Sequence, residues 1–200
     1  MNWLDLTMTL DEKTPVFPGD DLPVFQKGAQ DGINWTNLSF STHFGTHVDA
    51  PFHMLERGKK LSDYPLGHFI GEAVVLDVRG KKEIRCDLSD VKKGDFLFFL
   101  TGHTKNYSRA NFFDNNPVIP LDFAKEIVSK KSRIVGLDSF TPDNAPYDVH
   151  KLFFKHDILS LENLVNLEGL AGKRVECMVM PLNLSNSDGS QCRVIARELY

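Results

Sequence analysis

Seven histidines are spread along the chain: His43, His47, His53, His68, His103, His150 and His156. Three of them fall within eleven residues, in the run Ser41-Thr42-His43-Phe44-Gly45-Thr46-His47-Val48-Asp49-Ala50-Pro51-Phe52-His53. Imidazole is the commonest side-chain ligand for transition metals, and a carboxylate complements it for zinc or manganese. The spacing suits such a site. His47 and Asp49 are two apart, so on an extended segment both face one side. Gly45 permits a sharp turn that can fold His43 back onto them, and Pro51 prevents simple continuation of a helix. A His–His–Asp ligand set is therefore available from one short stretch. The run is not the zincin signature, which needs Glu directly after the first His; Phe44 stands there. On residue types and spacing alone, two readings stay open: a metal site, or a loop whose histidines are satisfied by ordinary hydrogen bonds.

Other catalytic frameworks do not occur in the sequence. It has no Gly-x-Ser-x-Gly elbow, no GxGxxG and no Walker loop. The three cysteines, Cys86, Cys177 and Cys192, form no Cys-x-x-Cys pair, so neither a zinc finger nor a thioredoxin-type motif is available. Their odd number and wide spacing suit free thiols in a reducing compartment.

The elements that must position the histidine run read as mixed α and β, with more strand than helix. Leu4 to Leu10 alternates apolar and polar residues, the pattern of a half-buried strand. Two prolines and a Gly-Asp pair break Pro15 to Asp20 into turns. Trp35 to Thr42 alternates again, with Leu38 and Phe40 on one face. Ala73–Val78 and Asp95–Leu100 read as buried strands, as do Val175–Met180 and Cys192–Ala196 near the C-terminus. Apolar residues at helical spacing predict a helix over Pro120–Val128, and a short helix is expected over Val149–Lys155. Arg133–Asp138 returns to strand, so strand, helix and strand follow in order and predict one parallel crossover.

The 200 residues suit one domain, expected to span 1–200. Hydrophobic residues at 42% with 21 aromatics supply ample core and exclude intrinsic disorder. A net charge of −4 with only dipeptide basic runs argues against nucleic acid as a partner. The longest apolar run, Phe96–Leu100, is far short of the roughly 20 residues of a membrane helix. The N-terminus shows neither a basic region nor an apolar segment of a signal peptide, so the expectation is a cytoplasmic protein without a membrane partner.

The segment His43-Phe44-Gly45-Thr46-His47-Val48-Asp49-Ala50-Pro51-Phe52-His53 resembles the signature His-x-Gly-Thr-His-x-Asp-x-Pro-x-His of the putative cyclase family. Bacterial kynurenine formamidases (arylformamidases) and isatin hydrolases belong to that family of metal-dependent hydrolases. The likeness continues elsewhere. Thr14-Pro15-Val16-Phe17-Pro18-Gly19-Asp20 resembles the N-terminal turn of the family, and Gly136-Leu137-Asp138-Ser139 its Gly-Ile-Asp segment. His150 with Glu162-Asn163-Leu164 twelve residues on is similar to its second ligand pair. Asp188-Gly189-Ser190 with Arg193-Val194-Ile195 resembles its C-terminal loop and strand.

The resemblance implies a mixed α/β fold of the swivelling β/β/α type, with a central mixed sheet or partial barrel and flanking helices. It implies two divalent metals per chain, zinc first and manganese as an option. His43 and His47 would bind one metal, His150 the other, and Asp49 and Glu162 would bridge both. His156 is a less well spaced alternative to His150. His53 would stay off the metals as general acid and base. Phe17, where related formamidases often carry Trp, and His103 would line the substrate pocket. The implied reaction is hydrolysis of a C–N amide bond by a metal-bridging hydroxide, on an N-formyl arylamine such as N-formylkynurenine or on a cyclic amide. One zinc alone lowers the pKa of bound water to about 7, which makes such a nucleophile available at neutral pH. The alternatives are an isatin hydrolase-like or cyclase/dehydratase activity on another small molecule, or a metal- or ligand-binding module without turnover. A homodimer or larger homo-oligomer is implied as well.

Overall fold

The computed structural model describes residues 2–109 and 111–199. Its strands are β1 (Leu4–Asp5), β2 (Val24–Gln30), β3 (Ile33–Ser39), β4 (His47–Asp49), β5 (Ile70–Asp77), β6 (Phe96–Leu100), β7 (Ile134–Leu137), β8 (Leu159–Glu162), β9 (Arg174–Pro181) and β10 (Gly189–Glu198). The helices are α1 (Leu121–Lys130) and α2 (Asp148–Lys155). Seven strands close a mixed barrel in the order β10-β4-β8-β7-β6-β5-β9 and back to β10, while β1 adds to β10 from outside the ring. The long β10 makes the closure. Its Gly189–Gln191 end pairs with β4, and its Cys192–Glu198 end pairs with β9. The central sheet therefore closes fully where a partial barrel was one expectation.

Strands β5 to β8 run parallel to one another, and the other pairings are antiparallel. Parallel neighbours need crossovers. The predicted one is present, with α1 between β6 and β7, and α2 makes a second between β7 and β8. Alternation along β6 explains why all five of its residues are buried. Phe96, Phe98 and Leu100 fill the barrel with Ile134, Leu161, Val175 and Val194. Leu97 and Phe99 face outward beneath the helices, against Phe123, Ile127 and Phe153. A strand covered on both faces shows no polar alternation. At the inward position of β7 stands Gly136, where a Cβ would lie 2.6 Å from the Phe98 ring. The missing side chain is what lets Phe98 occupy the barrel.

Several expected elements differ. The strand expected from Leu4 to Leu10 stops at Asp5, although Leu6 and Met8 are buried. Side chains take over the ladder there. Thr7 Oγ1 both donates to the Val194 carbonyl and accepts its N–H, and the Met8 N–H goes to Thr46 Oγ1. The strand expected over Trp35–Thr42 ends at Ser39 and leaves Leu38 exposed, because it pairs only with β2 in a separate hairpin. That hairpin turns at Asp31-Gly32, both at positive φ. β4 and β8 were not predicted, since three or four residues are too few to show a period. Among the described residues, no helix is long and apolar enough to cross a membrane.

Candidate metal centre

β4 and β8 are neighbours, and their inward positions are apolar: Val48, Leu159 and Leu161 belong to the barrel interior. Their outward positions carry the chemistry. His47 sits directly opposite Glu162, and Asp49 is flanked by Ser160 on β8 and Gly189 on β10. The period of two in a strand thus places His47, Asp49 and Glu162 on one outer face. Gly189 makes the space. A Cβ there would lie 2.9 Å from His43 Cε1 and 3.2 Å from Asp49 Oδ1.

The turn before β4 brings in His43 as its sequence suggests. Gly45 takes φ +68°, and His43 Nδ1 comes to 2.7 Å from Asp49 Oδ1. His47 Nε2 lies 3.3 Å from the same oxygen and 3.6 Å from Glu162 Oε2. His150, on α2, closes the group with Nε2 3.1 Å from Glu162 Oε1. Among the described residues three donor sets result, His43–His53–Asp188 and two that share a carboxylate, His43–His47–Asp49 and Asp49–His150–Glu162, the donor atoms of each lying within 4.8 Å of one another. Asp49 is the shared carboxylate. His156 does not approach them; its Nδ1 donates to the Leu152 carbonyl on the surface.

Two observations show that these residues fit divalent metals. First, Asp49 and Glu162 are buried, yet among the described residues their ion-pair partners are imidazoles only. Burying carboxylates without Lys or Arg is costly unless a cation compensates. Second, each candidate histidine has its other ring nitrogen occupied. His43 Nε2 lies 2.9 Å from Asp188 Oδ2, His47 Nδ1 lies 2.8 Å from the Gly45 carbonyl, and His150 Nδ1 lies 2.5 Å from Asp143 Oδ1. Metal-ligating histidines are oriented in this way.

The electrostatics agree. Burial pulls His43 down, but the Asp49 charge and the bond from Asp188 outweigh it and raise the imidazole to about 11. Burial is likewise overcome at His150 by Asp143 and Glu162, which raise it to about 10. At Asp49 burial acts upward, and the charges of His47 and His43 hold the carboxyl below the usual range. In each case protons occupy positions suited to a cation.

His53 stands off the two donor sets that share Asp49 and belongs to the third, with His43 and Asp188. It ends a short turn that starts at Pro51, and its ring packs on His43 with centroids 4.1 Å apart. Its Nδ1 lies 3.4 Å from Asp188 Oδ2, the oxygen that also holds His43. His43, His47, Asp49, His53, His150 and Glu162 line a cavity of about 320 Å³. Phe17, Phe112, Phe113 and Phe140 form its apolar wall, with Phe17 edge-on to Phe113 at 5.5 Å. Phe17 therefore lies at the cavity. His103 stands behind the wall instead of lining it. Its ring packs 5.0 Å from Phe112 and 5.6 Å from Phe140, and its Nε2 donates to the Phe112 carbonyl. Asp143, Asp188 and the three phenylalanines beyond Phe17 escaped the sequence reading. Asp188 lay inside a motif already noted, whereas Asp143, between Pro142 and Asn144, reads as an ordinary turn residue.

Comparison with known proteins follows the same lines. The family model described as "Putative cyclase" matches residues 4–144. The kynurenine formamidase of Bacillus thuringiensis (strain Al Hakam) is 33% identical over 211 aligned residues, covering 98% of both chains. That of Geobacillus thermodenitrificans is 31% identical, with the same coverage. A solved structure described as a potential metal-dependent hydrolase with cyclase activity superposes with a TM-score of 0.84 at 25% identity, covering 99% of each chain. Isatin hydrolase A from Ralstonia solanacearum shares the fold, with a TM-score of 0.88 at 21% identity over 98% of this chain and 91% of its own. With the signature run, the barrel and full-length relatives in agreement, the chain belongs to the putative cyclase family.

Proposed function

We propose that this chain is a metal-dependent hydrolase that cleaves the C–N bond of an N-formyl arylamine, with N-formylkynurenine as the leading candidate. The observation that carries this reading is the convergence of His43, His47, Asp49, His150 and Glu162 on one phenylalanine-walled cavity. Relatives named kynurenine formamidases support the substrate class. Charge supports two metals per chain. Asp49, Glu162, Asp143 and Asp188 bring four carboxylates to the histidines, and two divalent cations balance them. Zinc or manganese suits this mixture of nitrogen and oxygen donors.

Metals held by these residues supply Lewis-acid polarisation of the amide carbonyl and lower the pKa of water. The chain's own groups do the rest. The wall of Phe17, Phe112, Phe113 and Phe140 holds an aryl ring and keeps bulk water from it. Asp188 accepts from His53 Nδ1, which leaves Nε2 as the working nitrogen. There His53 takes a proton from the attacking water and passes it to the amine nitrogen as the C–N bond breaks. The products are formate and the free arylamine. His103 braces the wall through Phe112 and Phe140.

Residues 1–200 act as one hydrolase domain, because both core clusters are built on the same barrel strands. Two copies associate through the β2–β3 hairpin, which leaves Ile33 67% and Leu38 56% exposed. A two-stranded hairpin is marginal by itself. Three unbridged cysteines fit a cytoplasmic setting.

The test is release of formate from N-formylkynurenine and formanilide by protein reconstituted with zinc or manganese. Turnover is expected, and His53→Ala should lower kcat by about 10²- to 10⁴-fold with metal content unchanged. Ring opening of cyclic aryl amides without formate release would move the substrate to that class. No turnover of formamides or lactams in either metal form would overturn the hydrolase reading.

A further inference from the structure

The loop between β7 and α2 carries a carboxylate that occupies no ligand position. Asp143 is buried, and both of its oxygens are engaged. Oδ2 accepts the Val149 N–H at 2.7 Å, and Oδ1 lies 2.5 Å from His150 Nδ1. Helix α2 begins without a side-chain cap of the usual kind, because its N-cap residue is Tyr147 in the left-handed region at φ 62°. Asp143 supplies that cap from six residues upstream of Val149. With its other oxygen it holds the imidazole one residue further on. Once Nδ1 is held, Nε2 is the nitrogen that faces Glu162, at 3.1 Å.

We infer that Asp143 is the positioning residue for the second metal. It keeps the His150 proton on Nδ1, fixes the ring and leaves Nε2 as the donor. The inference rests on the reading of His150 and Glu162 as ligands. The three candidate histidines are held differently, which makes Asp143 the informative one. His47 is oriented by the backbone carbonyl of Gly45, which no side-chain substitution removes. His43 is oriented by Asp188, which also touches His53, so its loss disturbs metal and proton transfer together. Among the described residues Asp143 contacts only His150 of the candidate ligands. A carboxylate behind an imidazole raises its basicity as a ligand, and removing such a partner typically weakens metal binding by about 10- to 100-fold. A purely capping role for Asp143 predicts something else: a lower melting temperature and unchanged metal affinity.

The experiment measures zinc affinity of the full chain by chelator competition, one equivalent at a time. It compares wild type, Asp143→Ala, Asp143→Asn and His150→Ala, with a thermal melt of each metal-free protein. The first equivalent should bind alike in all four. The second should weaken by about 10- to 100-fold in Asp143→Ala. It should weaken less in Asp143→Asn, whose side-chain carbonyl still accepts from Nδ1–H, and be lost in His150→Ala. If Asp143→Ala does not fold, Asp143→Asn carries the comparison. Wild-type affinity for the second equivalent in the folded Asp143 variants, with His150→Ala losing it, overturns the inference while the ligand reading stands. Retention of the second equivalent by His150→Ala overturns the ligand reading and the inference with it.

Discussion

His43 and His150 hold their protons far above the ordinary histidine value of 6.5, at about 11 and about 10. At pH 7 both are therefore charged in the metal-free protein, and an incoming metal must displace those protons. Zinc titration by calorimetry in two buffers of different ionisation enthalpy should show proton release at pH 7. Apparent zinc affinity should rise with pH until those protons are gone. The sign for stability follows from the same shifts. A folded-state pKa raised above the unfolded value contributes stability in full below about pH 6.5, and the contribution is lost as pH approaches 10 to 11. The melting temperature of the metal-free protein should fall over that range. Absence of proton release would show that both imidazoles are already neutral at pH 7 in the metal-free protein and would refute the raised values. At this scale much was legible in the sequence, because His43, His47, Asp49 and His53 lie on one segment. His150 and Glu162 rested on family likeness, because a single His and a single Glu carry no periodic or spacing signal.

At the scale of elements, two glycines without left-handed backbone test different jobs on two strands of the barrel. Gly189, on β10, leaves room for the ligands, and Gly136, on β7, leaves room for the core. Gly189→Ala should push His43 and Asp49 apart and lower kcat/KM by about 10²-fold, the scale expected for a misplacement near 1 Å. Its melting temperature should change little. Gly136→Ala overpacks Phe98 and should destabilise the protein by about 1–3 kcal/mol, read by denaturant unfolding, with metal stoichiometry retained. Equal effects of the two substitutions on metal binding would refute this division. β6, α1 and α2 were recognisable by their patterning, and the four-residue β7 by its run Ile134-Val135-Gly136-Leu137 without a polar residue. β4 and β8 were not, although they carry three of the five candidate ligands. Their strand character comes from the neighbours they pair with.

For the whole molecule, closure of the barrel through β10 brings residues near 47, 162 and 189 side by side. It also leaves the β2–β3 hairpin outside the ring with Trp35, Ile33 and Leu38 uncovered. Exposed apolar surface of this kind marks an interface more often than a free surface. Light scattering should give a dimer mass for the wild type, and Ile33→Asp with Trp35→Asp should reduce it to the mass of one chain. A monomeric wild type would refute association through the hairpin.

What the sequence determined by itself was local. The signature run, the turn at Gly45, the apolar strands and the helical spacing of α1 each depend on residues within about ten positions of one another. The register that sets His47 opposite Glu162, the use of Asp143 and Asp188 behind the histidines, and the phenylalanine wall were decided by the tertiary structure. Those groups come from distant parts of the chain, and barrel closure supplies the contacts. A buried carboxylate and a solvated one are the same letter in a sequence, and only the packed neighbours tell them apart.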